Sequence, residues 1–286
     1  MDGQIDRSGI AHIIHEAREL RRHPEFDTAL IEYTSDLIQF RKSQRRLNKI
    51  IAQQYRFRVI GHLLHQHGLK WLNDQTGGVT YTELAHACAT YDSSPRHLKT
   101  MLGLMQVVGF VKVARDPDDN RRKLYVPTDR LMGFVRKRVM CAAISLDILQ
   151  PRLRCSQILM EDKTATLRVW ATGGFEFALG QLAAETLPEF FPFFRRRDGA
   201  APLIFALMHA RFNAQDCSSR AVIAAQFGLS KTQVSNLVHE GAELGLFTLD
   251  AKGVPSPTNL LSDSYRQLVS IELAFFARHI RPGSVA

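Results

Sequence analysis

The pattern that most constrains this chain occurs twice. From Thr80 the sequence runs TYTELAHACATYDSSPRHLKTMLGLMQVVGFVKVARDPDDNRRKLYVPT, ending at Thr128. A shift of 136 residues lays Ser230 on Ser94, Phe227 on Tyr91, Val234 on Leu98, Val238 on Leu102, Leu244 on Val108 and Gly245 on Gly109. Pro257-Thr258 answers Pro127-Thr128 at a shift of 130, so the later copy is six residues shorter between its glycine and its threonine. Weak identity with a kept pattern predicts one supersecondary unit used twice.

In the first copy, Thr80 and Glu83 have the spacing of a capping box, with Val79 and Leu84 placed for a hydrophobic staple. Ser94-Pro95 predicts a second helix start, a capping hydroxyl followed by proline at the first helical position. Leu98, Met101, Leu102, Met105 and Val108 fall on one helical stripe, which leaves Arg96, His97, Lys99, Thr100, Gly103 and Gln106 on the outer face. Gly109 is a C′ glycine, and strands over 110–113 and 124–126 flank the tip Asp116-Pro117-Asp118-Asp119-Asn120. The outline is a winged helix-turn-helix. In the second copy Ala221–Phe227 predicts the short helix and Ser230 with Gln233 a further capping box. Leu246–Leu249 predicts a wing strand, and 262–278 a final amphipathic helix carrying Tyr265, Leu268, Ile271, Leu273, Phe275 and Phe276.

The run Asp116 to Arg121 followed by Leu124, Val126 and Thr128, after Leu84-Ala85 and Gly109-Phe110-Val111, resembles the winged-helix core of the MarR family of bacterial transcription regulators. The resemblance covers Thr80 to Thr128. Where that family commonly ends its second wing strand with Leu-Thr, this chain has Pro127-Thr128, which removes a ladder donor. The resemblance implies a homodimeric DNA binder with a wing arginine at Arg121, an aspartate partner for it at Asp119, and a small, often aromatic, effector. With two copies in one chain it implies a fused, asymmetric version able to span two half-sites about one helical turn apart.

The expected fold is therefore mainly α with small β-hairpin wings: two tandem winged helix-turn-helix domains joined by helical segments, as a pseudo-dimer. The expected divisions are a helical region over 1–43, the first domain over 44–150, a linker and helical segment over 151–199, and the second domain over 200–286. Ser8 predicts a helix from Gly9 to Arg22, broken at His23-Pro24; helical pattern then resumes at Phe26 and reaches His67. Asp129 to Leu149 reads as a helix stopped by Pro151, 152–174 as a linker with one short strand at Thr166–Trp170, and 175–186 as a helix. Phe190, Phe191, Phe193 and Phe194, beside Arg195 to Arg197, read first as core packing, with an apolar ligand pocket or subunit contact as lesser readings.

Charge directs the functional expectation. The net charge of +9 favours a polyanionic partner, above all double-stranded DNA. Leu37 to Trp71 holds eight basic residues and no acid, a solvated face or a phosphate-contacting one. Lys112 to Arg138 holds nine basic residues against four acids, whereas Ala214 to Leu261 holds three against four. The expected DNA contacts are Ser94, Arg96, His97, Lys99, Thr100, Arg121, Arg122 and Lys123 in the first unit, and Lys231, Thr232, Gln233, Ser235 and Asn236 in the second, where Asn and Gln suit adenine edges but cations are few.

His62, His65 and His67 lack further ligands at metal spacing, and Cys88, Cys141, Cys155 and Cys217 share no CxxC, so no cofactor or metal is expected and free thiols are. No long apolar run predicts a membrane span, and the start of the chain lacks a signal-peptide pattern, which points to the cytoplasm. No nucleophile elbow, HExxH or phosphate-cradling glycine loop supports an enzyme. The competing readings are a plasmid-type replication initiator with tandem winged helices, and a protein-interaction module in which the second unit binds a partner. Either a pseudo-dimeric monomer or a homodimer fits the pattern.

Overall fold

Proline sets the first boundary in the computed structural model, which describes residues 7–43, 54–73, 77–89, 95–117, 119–173 and 183–280. Helix α1 (Arg7–Arg22) ends just before His23-Pro24, and α2 (Phe26–Ser43) begins after it. Ser8 lies inside α1 rather than capping it. The expected continuation to His67 is found as α3 (Gln54–Leu72), while 44–53 fall outside the described residues.

The first repeat of the pattern then folds as a short strand β1 (Val79–Thr80), α4 (Tyr81–Ala89), α5 (Pro95–Val107), β2 (Val111–Arg115) and β3 (Lys123–Pro127). The capping box is present: the Thr80 amide donates to Glu83 Oε2 at 2.6 Å and the Glu83 amide to Thr80 Oγ1 at 3.2 Å. Leu98, Met101, Leu102 and Met105 are buried as the spacing requires; Val108 is half-buried and Val107 is 84% exposed. Gly109 closes α5 at φ 69°, where its missing Cβ removes the steric penalty. Its amide donates to Gln106 O and the Phe110 amide to Met105 O at 2.8 Å. β1 was not foreseen; it pairs with the outer edge of β3, giving the order β1-β3-β2.

Thr128 links hairpin to stem. Its hydroxyl donates toward Gly109 O at 2.7 Å and accepts from the Leu131 amide at 3.3 Å, so one side chain fastens the end of α5 and caps α6 (Asp129–Leu149). The downstream copy repeats this bonding. It comprises α11 (Arg220–Phe227), α12 (Lys231–Glu243), β4 (Phe247–Leu249), β5 (Pro255–Pro257) and α13 (Asn259–Ile280). Gly245 has φ 70°, Thr258 Oγ1 lies 2.8 Å from Gly245 O, and the Leu261 amide donates to Thr258 Oγ1 at 3.3 Å. One difference conserves volume. At the 136-residue shift Met105 and Val111 correspond to Gly241 and Phe247, and a Cβ on Gly241 would stand 2.1 Å from the Phe247 ring. The ring in the second unit occupies the space that a methionine fills in the first.

The expected linker over 152–174 is instead helical, and the expected strand at Thr166–Trp170 lies inside a helix. A 3₁₀ turn (Pro151–Leu153) leads into α7 (Cys155–Glu161) and α8 (Ala165–Thr172). The cause is tertiary. Asp147, on α6, accepts from the amides of Cys155 and Ser156 at 2.6 and 3.0 Å, and Arg136 donates to the carbonyls of Leu159 and Met160, so both ends of α7 are capped from the neighbouring helix. The expected helix over 175–186 lies largely outside the described residues; 183–186 are helical.

The remaining helices are α9 (Phe191–Arg196) and α10 (Ala200–Phe212). Phe190, Phe191 and Phe193 are buried, with Phe193 edge-on to Phe247 at 5.9 Å and Phe194 edge-on to Phe205 at 6.1 Å. The cluster is core between α9, α10 and β4. The stems of both units share one continuous apolar core with α1 and α2. Cys88, Cys141 and Cys155 are buried free thiols and Cys217 is a half-buried one; burial pushes the Cys141 thiol up to about 11.

Two outcomes test these packing arguments. Gly241→Ala should destabilise by about 1–3 kcal/mol because the Phe247 ring must move, whereas Gly103→Ala, with nothing within 4 Å of the new methyl, should stabilise by about 0.5–1 kcal/mol in denaturant titrations. His279 is buried beside Thr172, and burial, then Arg278, lowers its pKa from 6.5 to about 4. A depressed imidazole stabilises the fold above the unfolded value and loses that contribution as pH falls through the folded one. The stability gap between wild type and His279→Gln should therefore narrow by up to about 3 kcal/mol between pH 7 and pH 4.

Candidate nucleic-acid interface

The buried stripe of α5 determines what its other side offers. With Leu98, Met101, Leu102 and Met105 inward, Arg96, His97, Lys99 and Thr100 are all exposed. Ser94 lies outside the described residues. Tyr81, which the sequence reading did not single out, organises this end of the helix. Its hydroxyl donates to Pro95 O at 3.1 Å, and its ring lies 5.6 Å from the Lys99 ammonium, so it joins α4 to α5 and steadies a cation. The Thr100 hydroxyl donates back to Arg96 O at 2.9 Å and keeps lone pairs free to accept.

The hairpin carries the second set of cations. β2 and β3 pair antiparallel with Arg115 opposite Lys123. The Arg122 amide donates to Asp119 O and the Asp116 amide to Arg122 O, which closes the tip. Asp119 Oδ1 accepts from the Arg121 amide at 3.0 Å, while Oδ2 lies 3.3 Å from Arg122 Nε. The expected Asp119–Arg121 side-chain pair is thus replaced by Asp119–Arg122. The aspartate forms a local turn with the backbone of residue 121 and leaves its guanidinium outside. Arg121, Arg122 and Lys123 are exposed. Arg130, at the start of α6, reaches within 3.5 Å of the position a Gly109 Cβ would take, adding a cation beside the C-terminal end of α5.

Several counted cations are used internally. Arg41 is half-buried; burial, then the neighbouring Arg138, lowers its pKa to about 10. Lys70 pairs with Glu83 at 2.8 Å and donates to Gly78 O, which braces the capped start of α4. Arg136 caps α7 and Arg138 bonds Glu272 at 2.8 Å. Within the basic run over 37–71, Lys70 is thus held internally and Arg41 is half-buried, while Arg45, Arg46 and Lys49 lie outside the described residues. His62 is buried, and His65 Nδ1 lies 3.2 Å from Trp170 O.

The second unit presents a different surface. Lys231, Thr232 and Asn236 are exposed on α12 and Ser235 is half-buried. Gln233 is half-buried, and its Nε2 donates to Asp198 O at 2.7 Å, so it fastens the turn before α10 and commits that donor within the chain. Arg220 donates to Gly253 O at 2.8 Å, and Asp250 Oδ1 accepts from the amides of Lys252 and Val254, so the short hairpin tip is held shut by the arginine that could have faced phosphate.

Arg96, Lys99, Arg121, Arg122, Lys123 and Arg130 thus form an exposed basic surface on the first unit, and the second unit keeps a polar one with little charge. No family model matches the chain, and neither the curated proteins nor the solved structures contain a match to it.

Proposed function

We propose that the protein is a sequence-specific double-stranded DNA-binding regulator of transcription, built from two winged helix-turn-helix units of MarR type. The observation that carries this reading is the shared exposure of two cation sets on one unit: Arg96 and Lys99 on α5, and Arg121, Arg122 and Lys123 on the hairpin. Helix α5 has the dimensions to enter a major groove with its N-terminal side chains toward base edges. The hairpin is then placed for the backbone or the minor groove, where clustered arginine and lysine release condensed counterions. Arg96 suits a guanine edge by bidentate donation; Lys99, held over Tyr81, suits an adjacent phosphate. A small aromatic effector is part of the same reading through the family resemblance alone.

Removal of single cations separates the two roles. Arg121→Ala should weaken binding to every sequence and flatten the dependence of log affinity on log salt by about one unit of slope. Arg96→Ala should additionally cost about 1–3 kcal/mol of discrimination against mismatched duplexes. A purified chain that ignores DNA at low ionic strength would overturn the proposal.

A further inference from the structure

The duplication extends beyond the two hairpin units. Helix α8 carries the burial register of α2 at the same 136-residue shift: Ala29, Leu30, Tyr33, Thr34 and Leu37 are buried in one, and Ala165, Thr166, Val169, Trp170 and Gly173 in the other. The packing is exchanged between repeats. α2 lies on α6, the stem of its own unit, and on α10, which leads into the other unit; α8 lies on α13, the stem of its own unit, and on α3, which leads into the first. The two units are thereby fastened to each other by reciprocal packing.

The two sides of that arrangement differ in polarity midway along these helices. Where α8 has Val169 and Trp170, α2 has Tyr33 and Thr34. The Tyr33 hydroxyl donates to Glu272 at 2.5 Å, Arg138 Nη2 donates to the same oxygen at 2.8 Å, and Thr34 Oγ1 lies 3.0 Å from the Tyr265 hydroxyl. Glu272 and Tyr265 belong to the stem of the second unit, and Arg138 to the stem of the first. Tyr33 is fully buried, and the Arg138 and Glu272 side chains are only 15% and 24% exposed. A largely buried pair that also accepts a phenol has a strict geometry, whereas apolar stems can slide and rotate. Such groups are retained for register more readily than for stability.

We infer that Glu272 is a positioning residue: by holding Arg138 and Tyr33 where the two stems meet, it sets the spacing and rotation between two unlike half-sites read by a single chain. This rests on the DNA-binding reading above. A change of one base pair between half-sites both translates and rotates one of them, about a tenth of a helical turn, so a fixed joint selects one spacing and a loose joint tolerates several.

The test is selection of bound duplexes from a random double-stranded DNA library by the full chain, the Glu272→Gln variant and the Arg138→Met/Glu272→Leu double variant. The double variant replaces the pair by apolar volume, so the readout survives should the single variant fail to fold. The wild type should recover two different motifs at one separation, preferred by about tenfold over its neighbours. The variants should recover the same two motifs, each with unchanged affinity on its own duplex, but with that preference reduced to about threefold or less. A single preferred separation kept in both variants overturns the inference, because a merely stabilising role would lower the melting temperature and leave the separations alone. Recovery by the wild type of one motif, or of a symmetric pair bound by two chains, overturns it while leaving DNA binding intact. No enrichment of any duplex overturns the DNA-binding reading, and the inference with it.

Discussion

Neither stem helix can be made dry by its own unit, and the rest of the molecule follows from that. Helix α6 packs on α2, and the other buried flank of α2 is covered from the other repeat by α10 and α11 and reached by Tyr265 and Glu272 of α13. Helix α13 has the same need, met by α8, α1 and α6. Burial of each large apolar side chain contributes about 1.5–3 kcal/mol, so α2 stripped of the elements it packs on would expose a stripe including Leu30, Tyr33 and Leu37. The repeats are held by a shared core rather than by a tether.

Within that frame each hairpin unit is attached to its stem through one threonine. Thr128 and Thr258 bond the carbonyls left open after a left-handed glycine and cap the helix that follows. A hydroxyl at this position does what a longer polar side chain could not, because the acceptor and donor backbones lie within a single side-chain length of each other. The bonding is the same in both units although their cores are filled differently, with methionine and valine in one and glycine and phenylalanine in the other. Total volume and the turn chemistry have to be kept; individual residues do not.

The legible parts of this fold were those in which local chemistry and tertiary demand agree. Thr80 with Glu83, the stripe through Leu98 and Met105, Gly109, and the helix from Asp129 to Leu149 could all be read directly, because capping and periodicity suffice for them. The segment 151–172 could not. Helix α7 is capped by Asp147 and Arg136 from α6, α8 packs between α3 and α13, and the β-branched and aromatic residues near Trp170 imitate a strand when those contacts are unseen. At the candidate interface the exposed face of α5 followed from its buried face, but the use of Gln233, Arg220, Arg41 and Lys70 did not. Gln233, Arg220 and Lys70 are each spent on a backbone carbonyl distant in sequence and Arg41 is half-buried, and composition counts such residues as if they were at the surface.

That distinction changes the meaning of the charge asymmetry between the two units. Counting residues makes the first unit strongly basic, yet Arg136 and Arg138 in that count serve the interior. What remains outside lies along the hairpin, at Lys112, Arg115, Arg121, Arg122 and Lys123, and at Arg130 and Lys137 on α6, in addition to Arg96 and Lys99 on the outer face of α5. In the second unit the corresponding tip is six residues shorter and is closed by its own arginine. On the DNA-binding reading proposed above, attraction through these cations orients the molecule before any base is read. On the same reading the second unit, with Thr232, Ser235 and Asn236 on α12, adds discrimination by short-range hydrogen bonds without adding much sequence-independent affinity. The difference between the two copies then separates attraction from selectivity, and the shared core carries the weakly charged unit to wherever the basic one has landed.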